Sequence, residues 1–374
     1  MMTTTLAEPP ITGFVLKLAS RCNLACSYCY WFEDQAVLRH PRTLRDDVRD
    51  ALIVRLEDYL TRKRLTSASV ILHGGEPLLY GKEKTRELLG RLRALESRTG
   101  CSLQFSVTTN GVLIDEEWAA IFKDASCFVA ISVDGPREIH DRARVDFMGR
   151  GSHARVANAA RLLAAAGTPA GALAVCDPTA DPVAVADHIV KDLGFRAFEV
   201  LIPDATHDDP APRSLASFYA GLFDYVTASD VALRVRVVDN LIRLALGRRS
   251  RSQDIGWSPM TGATILTDGS LQPEDQLRAI GSNDPLATGL NVLRDDIDAL
   301  HDHPLWREIY EASITRPTEC RGCDYVESCG GGALQNRWSM PRRFDNKNVY
   351  CDDMKAMFAH VGASITNSLY LAEQ

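Results

Sequence analysis

The chain of 374 residues carries ten cysteines, seven of which fall into two groups. Cys22, Cys26 and Cys29 are spaced C-x3-C-x2-C. Three soft thiolates on one loop can hold three irons of a 4Fe–4S cluster and leave the fourth iron open to an outside ligand. A structural zinc site would want a fourth Cys or His close by, and the nearest, His40, comes eleven residues after Cys29. Cys320, Cys323 and Cys329 are spaced C-x2-C-x5-C, with Cys351 further on. Four thiolates saturate a cluster and suit electron transfer, or they fill a four-cysteine zinc site. Cys101, Cys127 and Cys176 stand alone in or beside apolar stretches and read as small buried hydrophobes.

Further groups lie at the ends of apolar segments. Tyr28 precedes the third cysteine and offers an aromatic face. In His73-Gly74-Gly75-Glu76-Pro77 the glycines permit close backbone approach and Glu76 can receive an ammonium group. Ser132-Val-Asp134 supplies a hydroxyl and a carboxylate suited to a ribose. Glu274 and Asp275 follow a turn and could accept a proton. His301 and His303 flank an Asp just before a helix start and read as solvated surface.

These residues need elements to hold them. Apolar segments at 14–18, 69–72, 103–108, 128–133, 170–175 and 197–201 alternate with amphipathic stretches at 45–60, 83–95, 154–166 and 182–193. That alternation implies parallel βαβ units with right-handed crossovers, as an incomplete α/β barrel or a doubly wound sheet. In either, ligands gather at the carboxyl ends of the strands. Helices are expected at 215–227, 240–246, 293–300 and 305–312, a hairpin at 264–272 around Asp268-Gly269, and a closing helix at 352–371. The basic run 248–251 reads as a solvated loop.

Composition bounds the rest. The chain holds 42 basic and 49 acidic residues, net -7, with 45% hydrophobic residues, which describes a soluble globular protein. Nucleic acid is a poor partner for that charge. No apolar run reaches the roughly 20 residues that span a bilayer, and residues 1–10 lack the marks of a signal peptide, so a cytoplasmic protein is expected.

The cysteine loop, Gly-Gly-Glu-Pro and the strand-end polar groups together resemble the radical S-adenosylmethionine (SAM) enzymes over residues 11–201. The resemblance implies a partial (β/α)6 barrel. It makes Cys22, Cys26 and Cys29 ligands of a SAM-binding 4Fe–4S cluster and puts Tyr28, Gly74, Gly75, Glu76, Asn110, Ser132, Asp134 and Arg144 around SAM. The second group resembles a SPASM/twitch-like C-terminal extension, with Cys320, Cys323, Cys329 and Cys351 holding one auxiliary 4Fe–4S cluster. Glu274 and Ala333 stand where that pattern has cysteines of a further, inner cluster, which is therefore expected to be missing.

This variant, with His73 where sulfatase maturases have Gln, is similar to cyclophane-forming maturases of ribosomal peptides. The implied reaction removes a β-hydrogen from a precursor-peptide residue and joins that carbon to an aromatic ring, with Asp275 as proton acceptor. A ribosomal precursor peptide and a flavodoxin- or ferredoxin-type reductant are the implied partners, without nucleic acid or membrane. Alternatives are an anaerobic sulfatase maturase forming formylglycine and a peptide epimerase or thioether synthase. The expected organisation is a tail at 1–10, the barrel at 11–235, the auxiliary region at 236–351 and a final helix at 352–374.

Overall fold

Every strand-forming segment before residue 202 enters one sheet of the computed structural model, which describes residues 9–250, 252 and 255–372. Most of the tail at 1–10, Arg251 of the basic run and residues 373–374 of the final helix lie outside the described residues. The strands are β1 (Gly13–Ala19), β2 (Ser67–Gly74), β3 (Ser102–Thr109), β4 (Phe128–Ser132), β5 (Ala170–Val175), β6 (Ala197–Leu201), β7 (Arg234–Val235), β8 (Gly262–Ile265) and β9 (Leu271–Gln272). Their order is β7-β6-β5-β4-β3-β2-β1-β8-β9, with every pair parallel except β8 and β9. From β1 to β7 each new strand is added on the same side, so the order never reverses. That is barrel-type winding and rules out the doubly wound alternative, which has a switch point.

Register explains which face carries chemistry. Phe14, Leu16, Val70, Leu72, Phe105, Val107, Val129, Ile131, Ala172 and Val200 share one buried apolar face. Amphipathic helices such as Asp46–Arg62, Lys82–Thr99 and His153–Ala166 cover it with their leucine stripes. The alternate positions bear Lys17, His73, Ser106, Thr108, Ser132 and Glu199, a polar face set by the two-residue period of the strand. A helix at Glu116–Asp124, absent from the sequence reading, is capped by Asp115, whose Oδ1 accepts from Trp118 N at 2.9 Å.

The hairpin expected at 264–272 forms, and it also extends the barrel sheet. β8 pairs in parallel with the free edge of β1, Leu16 opposite Ile265. The helix expected at 293–300 is reduced to Ala299–Asp302. Asn291 and Asp295 take the backbone there: Asn291 Oδ1 accepts from Leu293 N at 3.0 Å and Asp295 Oδ2 from Asn291 N at 2.8 Å. Side chains that bond local N–H groups compete with the helix in this way. The expected helix 240–246 begins earlier, as Arg236–Ala245. The last helix, Cys351–Ala372, packs on Ala216–Thr227 and Arg236–Ala245. Asp353 ties it to the start of the helix Ala216–Thr227, accepting from Leu215 N at 2.8 Å and Ala216 N at 3.0 Å. No helix among the described residues is long and apolar enough to cross a membrane.

Candidate functional site

The cysteine loop leaves the carboxyl end of β1 and is held there from three sides. From β2, Gly75 N donates to Ala19 O and Glu76 N to Arg21 O, both at 2.8 Å. A Cβ on Gly74 would sit 2.4 Å from Ala19 O, and one on Gly75 2.4 Å from Arg21 O. The glycine pair thus allows β2 to run directly under the loop. The close approach inferred from sequence is met here by the protein's own backbone.

Glu76 is fully buried behind those glycines. Its Oε1 accepts from Leu78 N at 3.0 Å and Thr109 Oγ1 at 2.7 Å, its Oε2 from Asn110 N at 2.9 Å. Burial outweighs these donors and pushes the carboxyl up to about 7. Asn110 continues the line, with Nδ2 3.5 Å from Cys22 Sγ, and Leu24 N donates to the same sulfur at 3.4 Å. Amides aimed at a sulfur favour its thiolate form.

The third side is the segment after β4. Ala25 N donates to Val145 O at 2.8 Å and Ser27 N to Ala143 O at 3.2 Å. Asp134 accepts from Arg144 Nε at 2.9 Å and Nη2 at 3.1 Å, from Val175 N at 3.0 Å, and from the Tyr28 hydroxyl. Burial pushes the Asp134 carboxyl up, but Arg144 and the other donors outweigh it and hold the group below the usual carboxylate range. Arg144 lies 5.3 Å from the centre of the Tyr28 ring. The surface ion pair that a lone arginine suggests is here a buried clamp on the cysteine loop. Ser132 stands buried at the end of β4 beside it.

Asp275 is brought to the same end by β8 and β9. Its Oδ2 lies 2.5 Å from Lys17 Nζ and accepts from the Tyr30 hydroxyl, one residue beyond Cys29. Burial raises its pKa, and the charge of Lys17, with that of Arg278, more than reverses that, leaving it lowered. Glu274, the other carboxylate offered by the sequence, sits at the opening of β8, with its side chain beside Gly262. Sequence reasoning missed Lys17 and Tyr30. A lone lysine inside the apolar Gly13–Ala19 was the available signal.

Cys320, Cys323, Cys329 and Cys351 line one pocket with Tyr325 and Lys355. Among the described residues no three His, Cys, Asp or Glu are grouped to hold a single metal ion. Four thiols lining one pocket could hold a 4Fe–4S cluster or a zinc ion. Arg337, buried beside Cys320 and Cys329, donates to the carbonyls of Phe344 and Ala312, both at 3.0 Å. Burial lowers its pKa to about 10, so it stays cationic next to the thiols. Burial pushes each of the first loop's three thiols up, Cys22 to about 12, so a metal bound there would displace their protons. Cys101, Cys127 and Cys176 are buried, as read. His301 and His303 are half-buried: His301 packs edge-on against Trp306, and His303 Nδ1 caps a helix at Leu305 N, 3.2 Å away.

Comparison with known proteins places this architecture. Residues 16–183 match the model of the Radical SAM superfamily, and the sheet they enter is parallel, in an α/β fold. Among curated proteins the chain is similar to a cysteine-type anaerobic sulfatase-maturating enzyme of Clostridium perfringens, 25% identical, with 96% of this chain and 98% of the relative covered. It is also similar to a serine-type anaerobic sulfatase-maturating enzyme of Bacteroides thetaiotaomicron, 24% identical over 94% of this chain and 89% of that one. A solved structure, native anSMEcpe with bound AdoMet and Cp18Cys peptide, shares the fold with a TM-score of 0.83 at 24% identity, covering 96% of this chain and 99% of its own.

Proposed function

We propose that the protein is a radical SAM oxidase of a peptide side chain, of the anaerobic sulfatase-maturase type, converting a Cys or Ser residue to formylglycine. The observation that carries this reading is Asp275, buried against the cysteine loop through Tyr30, with Oδ1 left without a hydrogen-bond partner among the described residues. End-to-end similarity to sulfatase-maturating enzymes supports the substrate class. It also reverses the order of the sequence reading, in which peptide crosslinking came first.

In this reading Cys22, Cys26 and Cys29 hold the first cluster, and Tyr28, Gly74, Gly75, Glu76, Asn110, Ser132, Asp134 and Arg144 form the SAM pocket. Cys320, Cys323, Cys329 and Cys351 hold an auxiliary cluster in a SPASM-like region, and a flavodoxin- or ferredoxin-type donor in the cytoplasm supplies electrons. When bound, SAM and the first cluster provide a 5′-deoxyadenosyl radical, and the auxiliary cluster provides one-electron transfer. The protein's part is to exclude competing hydrogen donors and to take the proton that the oxidised residue gives up. Asp275, held ionised, is the acceptor for that proton.

A second reading, an aromatic crosslink within the peptide, is favoured by Glu274 and Ala333 at positions where cysteines of an inner cluster would stand. Anaerobic incubation with reductant, SAM and Cys- or Ser-containing sulfatase peptides, followed by tandem mass spectrometry, tests both. An aldehyde that a hydrazide traps supports the first. Loss of two hydrogens with no trapped aldehyde, and fragmentation suppressed between two residues, moves the assignment to the crosslink.

A further inference from the structure

Lys17 is a charge in the middle of an apolar strand, and register sets it directly beside His73 of β2. Its side chain is fully buried. Nζ lies 2.5 Å from Asp275 Oδ2, 3.1 Å from His73 Nδ1 and 4.1 Å from the centre of the Trp31 ring. A buried ammonium is tolerated only when paired and hydrogen-bonded. Lys17 meets that condition with a carboxylate, an imidazole nitrogen and an aromatic face.

The two oxygens of Asp275 are treated unequally. Oδ2 receives both Lys17 and the Tyr30 hydroxyl, while Oδ1 is buried with no partner among the described residues. An ionised oxygen left empty in the interior is costly and calls for an explanation, of which a catalytic role is one. The groups facing this carboxylate are Lys17 from β1, His73 from β2, Tyr30 from the cysteine loop and Arg278 from its own segment. Cys29 lies near Lys17, and Asp204 near Tyr30.

We propose that Lys17 is the positioning residue of the proton acceptor: it anchors Asp275 by Oδ2 and thereby presents Oδ1 as the open acceptor atom. This deepens the function proposed above and rests on it. His73 completes the anchor. Burial first, and the neighbouring Lys17 second, lower its pKa to about 4, so the ring is neutral and Nδ1 can accept from Lys17 and from Gly74 N, 2.8 Å away. In the step itself, once the β-hydrogen has gone to the 5′-deoxyadenosyl radical, the residue's O–H or S–H bond would break as a C=O or C=S bond forms (in a crosslink, the ring C–H bond would break after the carbon–ring bond forms), its proton going to Oδ1 and the one remaining electron to an iron–sulfur cluster. Burial lowers the Lys17 pKa, and Asp275 opposes that shift.

The test uses the cluster-loaded enzyme and its variants Lys17→Met, Lys17→Arg and Asp275→Asn. Peptide oxidation and 5′-deoxyadenosine release are followed separately against pH, and infrared difference spectra are read for a protonated carboxyl. Lys17→Met is expected to move the acidic limb of peptide oxidation up by about one pH unit or more and to leave the limb of deoxyadenosine release in place. It should also bring in a carboxylic-acid band near neutral pH that disappears in the double variant with Asp275→Asn. Lys17→Arg keeps the charge and misplaces it, so the limb stays while peptide oxidation falls at least about tenfold.

An unmoved limb and unchanged spectrum in Lys17→Met, or wild-type turnover in Lys17→Arg, would overturn the assignment. The Lys17→Arg arm stands alone if Lys17→Met does not fold. Full peptide oxidation by Asp275→Asn would sink the proton-acceptor reading itself. An inactive Asp275→Asn beside a silent Lys17→Met would sink only the role of Lys17.

Discussion

Arg144 grips Asp134 with two nitrogens, Nε at 2.9 Å and Nη2 at 3.1 Å, and both side chains are buried. The pair joins the end of β4 to the loop that bears Cys22, Cys26 and Cys29, because the Tyr28 hydroxyl bonds the same carboxylate. A paired, multiply bonded carboxylate of this kind fixes the position of whatever is attached to it.

Removing one partner strands the other. Arg144→Met should destabilise the fold by about 3–5 kcal/mol, since Asp134 is left charged and uncompensated in the interior. Urea unfolding of the apoprotein measures the loss, and iron analysis after reconstitution should show the first cluster bound less well than in wild type.

The glycines under the loop give a sharper contrast. Gly75→Ala places a Cβ 2.4 Å from Arg21 O, a backbone atom that cannot step aside. Soluble yield and thermal stability should collapse, or the loop should shift and lose iron. Gly90, inside the helix Lys82–Thr99, meets nothing within 4 Å. Gly90→Ala should therefore stabilise the protein by roughly 0.5–1 kcal/mol through helix propensity.

Glu76 makes stability depend on pH in a stated direction. Burial raises its carboxyl from 4.5 to about 7. A raised folded-state pKa contributes stability that is complete below the unfolded value and is lost as pH rises through the folded value. Relative to Glu76→Gln, the apoprotein should lose about 3 kcal/mol between roughly pH 4.5 and 7. Parallel urea titrations of the two proteins across that range check the slope, and a flat difference would contradict it.

The C-terminal cysteines should be separable from the first three. Cys320→Ala is expected to lower bound iron by about four atoms per chain. Deoxyadenosine release should continue while peptide oxidation fails. Iron assays and chromatography on anaerobically prepared protein distinguish this from a general loss of folding.

How much of this was written in the sequence varies by element. The six long strands and their helices are legible because each is a local pattern, an apolar run or a leucine stripe that needs no knowledge of its neighbours. Two features were not legible in this way. Residues 293–298 read as helical until the side chains of Asn291 and Asp295 are seen to capture the backbone at the start of that stretch. Arg144 could be placed in the site only through resemblance, and its clamp on Asp134 is visible only once the segment after β4 folds back on the cysteine loop.

Sequence by itself determined the chemistry on offer: two groups of thiols, the Gly-Gly-Glu-Pro segment, and a carboxylate after the hairpin turn. Their spacing is covalent, and ligand types follow from it. Tertiary structure decided which groups meet. It paired β8 with the open edge of β1, which carried Asp275 across 258 residues to Lys17. It also set Glu274 beside Gly262. The reason is that a buried charge must find its partner in space, and which residue lies opposite is fixed by strand register, a property of the assembled sheet.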